Sequence, residues 1–586
     1  MVHLLMKGMM RRMLRRGLDG LEARPRAAGA PRFAAPAPFL TFADTRIRPY
    51  IRRPDPSTMS IPALRAALFA LLCCLSALEA QEDYPPGTFR LTPEVDLGLV
   101  ETPLEVPPAF AGLVPADRTL ALPPGFSVKV FAAAGLQGPR LMAWSPDSVL
   151  HIANMRGAER NSGYVAALPD RDGDGVADGV EVVAEGFALV NSIDFWGDTL
   201  YVADTHRLLL MRDPDGDGFY DERQVIAEIP TGGTHFTRTV LVDRANRRLF
   251  LSVGTSCDVC REDNPLRGTV LAMNLDGSDS RIFAHGVRNA VGITLHPRTN
   301  QLWATNNGHN LEGSRLPPEW VDIVREDGFY GSPFAYGYRV FVDFSIPAYG
   351  NAMLPLSAAD SLLVESMQRP VALLPARLAP MGIHFYGGDA FPPPYRDAAF
   401  IALRSGFNAE VPGYKVAALF VDDDGGGARV GDFMRGFQPV PKSLDGVWGQ
   451  PVGVTSDAAG HLYVSSDWLT FAVLRISPPP TDTAVREHRG SGTPSSTALG
   501  QNYPNPFNSS TALRFDLAAP EAVELSVYSL QGQQVAQLAR GFRPAGRYEL
   551  AWDGTDDRGR PLASGVYFFR LRAGDFVQAR KLLLLR

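Results

Sequence analysis

From Pro123 to Pro478 the chain repeats one arrangement: a short apolar strand, a turn rich in Asp, Pro, Gly or Asn, and a second apolar strand with an aromatic residue. The copies read LMAWSPDSVLHIAN from Leu141, NSIDFWGDTLYVAD from Asn191 and RTVLVDRANRRLFLSVG from Arg238. They continue as AVGITLHPRTNQLWATN from Ala290, MGIHFYGGDAFPPPYRDAAFIAL from Met381 and QPVGVTSDAAGHLYVSSD from Gln450. The first four follow one another at roughly fifty residues, the period of a propeller blade. Apolar positions alternate on both flanks of each turn, which marks half-buried strands, and no stretch sustains the 3.6-residue period of a long helix. A four-stranded sheet of this kind buries both faces only against neighbours like itself. Closing six of them into a ring leaves only short, protected edges. The pattern predicts an all-β chain with a six-bladed β-propeller over residues 122–478, preceded by a lead-in segment at 81–121. The long insert from about Gly308 to Pro380 is expected to cap one end of the ring, where loops carry function.

Residues 479–499 are rich in Pro, Thr, Ser and Gly and read as a linker. Residues 500–586 alternate again, with turn dipeptides such as Gln531-Gly532 and Arg558-Gly559, and predict a small Ig-like antiparallel sandwich. At the other end, residues 1–58 are rich in Arg, Ala and Pro, nearly free of acidic side chains, and lack periodicity. Met59, Arg65, the apolar run Ala66–Leu75 and the small residues up to Ala80 have the layout of an export signal. The segment 1–58 then reads as an extension ahead of the start at Met59, the alternative being a transit-like N-terminus. The net charge of -6 over 586 residues argues against the basic face that phosphate binding requires, so nucleic acid is not an expected partner. Of the 4 cysteines, only Cys257 and Cys260 lie beyond the signal. In an exported chain such a Cys-x-x-Cys pair favours a local disulfide over a metal site, and Arg261 in place of His excludes c-type haem attachment.

Two acidic loops carry metal-ligand spacing. Asp170, Asp172 and Asp174 alternate with Gly173 and Gly175 and continue to Asp178 and Glu181; Asp213, Asp215 and Asp217 alternate with Gly216 and Gly218 and continue to Asp221. Alternating carboxylates around a sharp glycine turn suit a hard cation. The flanks, GYVAALP and GVEVVAEG for the first loop, read as strands rather than helices. The loops are therefore expected to be calcium-binding hairpin turns within blades, with plain solvated turns as the alternative.

The centre of the chain holds Gly233-Thr234-His235-Phe236-Thr237-Arg238, Gly286-Val287-Arg288-Asn289-Ala290-Val291-Gly292, Asn306-Asn307-Gly308-His309, Pro317-Pro318-Glu319 and Gly413-Tyr414-Lys415-Val416, in this order. With the opening LPPGFSVKVFA, this series resembles the glucose/sorbosone dehydrogenase family, propeller enzymes that use pyrroloquinoline quinone (PQQ), over roughly 122–476. The resemblance implies that His235 is the general base that takes a hydroxyl proton as hydride moves to the quinone. It implies that Arg288 and Asn289 line the quinone site, and that the carbonyls of Gly308 and His309 hold a cofactor-bound calcium ion. There are departures. Arg404-Ser405-Gly406-Phe407-Asn408-Ala409 stands where the family usually reads His-Gly-Ser-Trp-Asn-Arg, and Gln450 replaces the arginine of a Gly-Arg-Pro motif. Arg404 and Lys415 are the candidate cations to compensate. The tail, from LGQNYPNPFNSSTALRFDL through DGTDDRGRPLASGVYFFRL, resembles the sorting domain of type IX secretion, related to the Ig-like domain of hook-capping proteins.

These readings imply a secreted or cell-surface protein, exported through the periplasm by the type IX machinery. Its expected activity is a PQQ- and calcium-dependent oxidation of a sugar or related alcohol or aldehyde, with electrons leaving to an external acceptor. The rival is a non-catalytic propeller that binds glycan or protein. A calcium-dependent lactonase needs an acidic metal site in the central channel, whereas the Asp-rich loops read as blade turns.

Overall fold

The computed structural model describes residues 84–155, 161–406, 408–440, 442–479, 486–487, 494–508, 511–552, 554–556 and 562–585. The extension expected at 1–58 and the export signal expected at 59–80 lie outside the described residues.

Each repeat copy forms the first hairpin of an antiparallel sheet. Sheet 1 comprises Pro139–Trp144, Leu150–Asn154, Gly163–Leu168 and Glu181–Phe187; sheet 2 comprises Ser192–Trp196, Thr199–Ala203, Arg207–Arg212 and Glu222–Glu228. Sheet 3 is built from Arg238–Asp243, Arg248–Val253, Thr269–Asn274 and Arg281–His285, with Gly328–Phe329 added in parallel at its edge. Ile293–Leu295, Leu302–Asn306, Glu319–Val324 and Ala372–Leu374 form sheet 4. Pro380–Phe385, Ala399–Leu403, Lys415–Phe420 and Arg429–Met434 form sheet 5. Sheet 6 joins both ends of the repeat region. Pro451–Ser456, Leu462–Trp468 and Thr470–Ser477 pair with Ser127–Ala132, and the lead-in strands Val100–Glu105 and Thr119–Leu122 extend that edge.

Hydrogen bonds between first hairpins run from sheet to sheet. Leu141 N donates to Asn191 O (3.2 Å), Asn191 Nδ2 to Arg238 O (3.0 Å) and Thr239 Oγ1 to Val291 O (2.6 Å). Thr305 Oγ1 donates to Met381 O (2.7 Å), and Ser465 Oγ to Arg140 O (2.7 Å), which returns the series from sheet 6 to sheet 1. Sheets 5 and 6, and sheets 6 and 1, meet through glycine: a Cβ on Gly382 would lie 2.7 Å from Val452 O, and one on Gly453 would lie 2.6 Å from Arg140 O. Bare backbone at these positions lets adjacent sheets approach closely. Farther out, apolar faces interlock. Val165, Phe187, Ile193 and Phe195 are buried between sheets 1 and 2, and Tyr201, Leu208, Val240 and Leu249 between sheets 2 and 3. Each such side chain contributes about 1.5–3 kcal/mol of hydrophobic stabilisation. The architecture is all-β and propeller-like.

Within the insert, the short helices Pro347–Met353 and Ala358–Glu365 are the local exception to strand structure. Ser357 and Asp360 form a reciprocal capping box at the second, satisfying otherwise orphaned amide groups. Tyr349 and Met353 pack with Phe334, Val342 and Val364 into a core of the insert's own.

The C-terminal residues form two four-stranded sheets. One holds Arg486–Glu487, Gly546–Trp552, Thr511–Leu517 and Ala498–Leu499; the other holds Gln534–Arg543, Glu521–Ser529, Gly565–Ala573 and Phe576–Leu584. Leu513, Phe515, Leu525, Val527, Leu550, Phe569 and Leu571 share their core. Two pieces of the expected linker, Arg486–Glu487 and Ala498–Leu499, pair into the first of these sheets, because open strand edges were available to them. Among the described residues no helix is long and apolar enough to cross a membrane.

Candidate active site

A cavity of about 500 Å³ is lined by His235, Thr237, Arg288, Asn289, Asn307, Gly308 and Arg377, together with Arg140, Arg404, Asn408 and Asp467. Its components come from the loops that enter and leave the first hairpins, so the ring collects residues far apart in sequence.

His235 lies just before the first strand of sheet 3. Its Nδ1 lies 2.8 Å from Thr255 Oγ1 and 3.1 Å from Thr255 O. The Thr255 hydroxyl donates its own hydrogen to Cys257 O (2.8 Å), so Oγ1 must accept from the imidazole. The proton of the neutral ring is thereby fixed on Nδ1, and Nε2 keeps its lone pair. Burial, reinforced by the Arg288 charge, lowers the pKa of His235 to about 4. Its side chain is therefore a neutral acceptor throughout the ordinary pH range.

Arg288 follows the last strand of sheet 3 and is almost fully buried. Its Nη2 donates to Asp258 Oδ1 (2.5 Å), Nε to Asp258 O (2.9 Å) and Nη1 to Asn307 O (3.1 Å). Asp258 sits within the small loop closed by the Cys257–Cys260 disulfide. It also accepts from Tyr349 of the insert (2.6 Å) and from Asn310 Nδ2 (2.8 Å). The insert thus reaches the site through the anchor of Arg288. Asn289 accepts from Thr237 Oγ1 (3.2 Å), and the side-chain oxygen of Asn307 is buried with no partner among the described residues.

Also on the lining, Asp467 receives Arg140 Nη1 (2.6 Å) and Arg404 Nε (3.0 Å). Arg377 is enclosed by backbone carbonyls: Nη1 donates to His309 O (2.5 Å), Nη2 to Asn310 O (2.7 Å) and to Leu316 O (2.9 Å). Glu319 accepts from Gly308 N (2.5 Å) and Arg377 N (3.0 Å), and its burial pushes its carboxyl pKa up. Four guanidinium groups on the lining, against Asp467, Glu319 and the neighbouring Asp258, leave the cavity net positive.

Five of the sequence-derived candidates line this cavity: His235, Arg288, Asn289, Gly308 and Arg404. His309 faces away, its Nε2 2.9 Å from Glu312 Oε1 and its ring edge-on to Tyr336 and Tyr349. Lys415 is not brought to the cavity. It opens the third strand of sheet 5, and the Asp432 carboxylate on the next strand holds its Nζ at 2.6 Å. The carbonyl of His309, expected as a calcium ligand, already accepts from the Arg377 guanidinium, so the carbonyl pair does not fit a second cation.

The acidic loops connect the third and fourth strands of sheets 1 and 2, away from the cavity lining. Ligand oxygens of Asp170, Asp172 and Asp174 lie within 4.8 Å of one another, as do those of Asp213, Asp215 and Asp217. Asp178, Glu181 and Asp221 stand outside these trios. Arg171 explains two of them, since its backbone N donates to Asp178 (2.8 Å) and its guanidinium pairs with Glu181 (2.8 Å).

Arg140, Arg377 and Asp467 were not among the sequence candidates, and Glu319 was named only within the Pro317-Pro318-Glu319 motif, without a role. A signal for Arg140 existed in the repeats: a polar residue stands near the start of the first strand in several copies, as in Arg140, Asn191, Arg238, Asn289 and Gln450. No comparable local signal marks Arg377 or Asp467.

Residues 115–403 match a family model described as a domain of unknown function (DUF7133), and residues 503–575 match the FlgD Ig-like domain. An uncharacterized protein of Borreliella burgdorferi is 25% identical over 364 residues, 60% of this chain and 89% of that protein. An aldose sugar dehydrogenase of Escherichia coli is 23% identical over 280 residues, 44% of this chain and 64% of that protein. Among solved structures, the holo form of the pyranose dehydrogenase PQQ domain from Coprinopsis cinerea is similar with a TM-score of 0.50 at 20% identity, covering 64% of this chain and 98% of that one. The calcium structure of a Trichoderma reesei carbohydrate-active enzyme of family AA12 gives 0.50 at 17% identity, covering 61% and 96%. The fold is thus that of a propeller-like all-β protein. More particularly, the fold is shared with the solved PQQ domain of the pyranose dehydrogenase, and the C-terminal residues 503–575 match the FlgD Ig-like domain.

Proposed function

We propose that this chain is a secreted or cell-surface six-bladed propeller dehydrogenase that oxidises a sugar or a related alcohol or aldehyde, with PQQ as hydride acceptor. The observation that carries the reading is the fixed tautomer of His235 on the wall of a positively charged cavity. The fit to the quinone is supported by the cavity volume of about 500 Å³, by its four arginines and by the buried Asn307 oxygen, which has no partner among the described residues. Arg288, Asn289, Gly308 and Arg404 would hold the quinone, which when bound accepts the hydride. The chain's own part is acid–base chemistry and electrostatics: Nε2 of His235 takes the proton of the substrate hydroxyl while Thr255 keeps the ring oriented. Arg288, held by Asp258, presents a fixed positive charge to the negative charge that develops beside it. Calcium is assigned to the two aspartate loops, where it would brace sheets 1 and 2. The FlgD Ig-like domain supports export, with the type IX machinery as partner, and electrons leave to an external acceptor.

Reconstitution of the full chain with PQQ, followed by dye reduction across a panel of aldoses and alcohols, tests this. Activity in the wild type that falls by about 10²-fold or more in His235→Ala supports it; no reduction with any substrate, together with no quinone binding, refutes it. Gln450 and Ala409, which stand where the family carries arginines, favour a second reading as a non-catalytic glycan- or protein-binding propeller. Under that reading His235→Ala leaves ligand binding unchanged.

A further inference from the structure

We infer that Cys257 and Cys260 are redox-controlled positioning residues: as a disulfide they hold His235 and Arg288 in their working arrangement, and as a dithiol they release it. The inference rests on the reading of these two side chains as the working groups of the cavity, but its first test needs neither cofactor nor substrate. The loop between the second and third strands of sheet 3 supports both groups. Its Cys257 carbonyl accepts the Thr255 hydroxyl (2.8 Å), which turns the oxygen of that hydroxyl toward Nδ1 of His235 (2.8 Å). Ser256 O accepts Thr234 N (2.7 Å), which fixes the backbone just before His235. Gly233 permits this approach, since a Cβ there would lie 2.5 Å from Ser256 O. One residue further on, Asp258 takes Arg288 Nε on its carbonyl (2.9 Å) and Nη2 on its carboxylate (2.5 Å). Residues 256–258 thus serve His235 and Arg288 at once, although the two lie on opposite sequence flanks of sheet 3.

Little besides the sulfur bridge shapes this support. None of the backbone amides of residues 257–260 has a hydrogen-bond partner among the described residues, so the covalent ring sets where the carbonyls of Cys257 and Asp258 point. Both cysteines are half-buried, within reach of a small thiol. The far side of the loop is secured independently. Val259 packs into the insert's own core, and Arg261 pairs with Asp360 (2.7 Å). Tyr349 and Asn310 hold the Asp258 carboxylate as well. Opening the bridge therefore frees the two main-chain carbonyls first and leaves the sheets and the insert packed. Without Cys257 O, the Thr255 hydroxyl loses the acceptor that orients it, and Nδ1–H of His235 loses its fixed partner. The ring proton can then move to Nε2, which removes the lone pair that faces the substrate hydroxyl. In an oxidising compartment the reverse holds. The two thiols give two protons and two electrons to a partner disulfide, which leaves as two thiols, and the site is completed on export.

The test treats the full chain with dithiothreitol, whose thiolate attacks one sulfur and whose second thiol closes on the mixed disulfide, leaving two cysteine thiols and the cyclic oxidised reagent. Alkylation of Cys257 and Cys260, read by peptide mass, confirms the opening, and circular dichroism checks that the fold persists. Nitrogen shifts of isotope-labelled His235 report which ring nitrogen carries the proton. The expected result is a proton on Nδ1 in the oxidised chain, a shift of most of the population to Nε2 on reduction, and recovery with oxidised glutathione. The double variant Cys257→Ser, Cys260→Ser should show the reduced signature without reagent and should not respond to it. Should that variant fail to fold, reduction of the wild type decides alone. Where dye reduction is measurable, kcat should fall by about tenfold or more on reduction, with KM little changed. An Nδ1 proton that survives full opening of the bridge overturns the inference. So does a bridge that dithiothreitol cannot open in the folded chain, or one whose opening unfolds the chain and so marks it as merely structural. Absence of dye reduction in every state refutes the dehydrogenase reading, while the shift of the ring proton still upholds the positioning role.

Discussion

Protonation of His235 should be displaced far below the ordinary range of an imidazole, and Arg288 should account for a measurable part of the displacement. The move from 6.5 to about 4 corresponds to about 3 kcal/mol against the imidazolium, and solvent at the cavity face reduces the working figure to about 2 kcal/mol. Burial is the largest cause, followed by the Arg288 charge, while Asp258 acts in the opposite sense and Arg238 weakly in the same sense as Arg288. Arg288→Met removes the repelling charge and leaves the Asp258 carboxylate close by, so the His235 pKa should rise by about one unit or more. Arg288→Lys should leave it low. The assay is a pH titration of isotope-labelled histidine by NMR, with the His235 signal assigned by its loss in His235→Gln. The sign for folding follows from the same shift. As pH falls below 6.5 the unfolded chain takes up this proton first, so His235 lowers stability progressively down to about pH 4 and has no effect above neutrality. A wild-type His235 that titrates near 6.5, or a value that does not move in Arg288→Met, refutes the electrostatic account of the site.

Asp258→Asn should destabilise the chain by about 3 kcal/mol, because it strips the charge partner from a buried guanidinium; a urea midpoint unchanged from wild type contradicts this. Gly453→Val should lower the melting temperature sharply, since a Cβ at this position would lie only 2.6 Å from Arg140 O. Replacing the solvent-facing Gly173 by Asn, which tolerates positive φ, should have little effect by comparison. Calcium should raise the melting temperature of the wild type, and Asp170→Asn with Asp213→Asn should remove that rise. Chelation by EGTA should leave quinone affinity intact, because Arg377 already serves the His309 carbonyl; a strict calcium requirement for quinone binding would sink that assignment.

The strands, their turns and the placement of the acidic loops between strands were legible in the sequence, because each follows from periodicity and turn chemistry within a few residues. His235, Arg288 and Asn289 were legible through a family motif, and the structure brings them to one cavity. Lys415 shows the limit. It stands at a strand end, and only the register of the adjoining strand decides that its ammonium meets Asp432 rather than the cavity. Composition alone likewise assigned Arg486–Glu487 to a linker, whereas an open sheet edge recruits the pair. The partnership of Arg140 with Asp467 spans 327 positions and that of Arg404 with Asp467 spans 63. By itself, then, the sequence determined which segments become strands and which faces they bury, since burial of alternate side chains is a short-range rule. Only the tertiary structure decided which charges confront one another, because that depends on how the sheets close and on the shared desolvation of groups that no local pattern links.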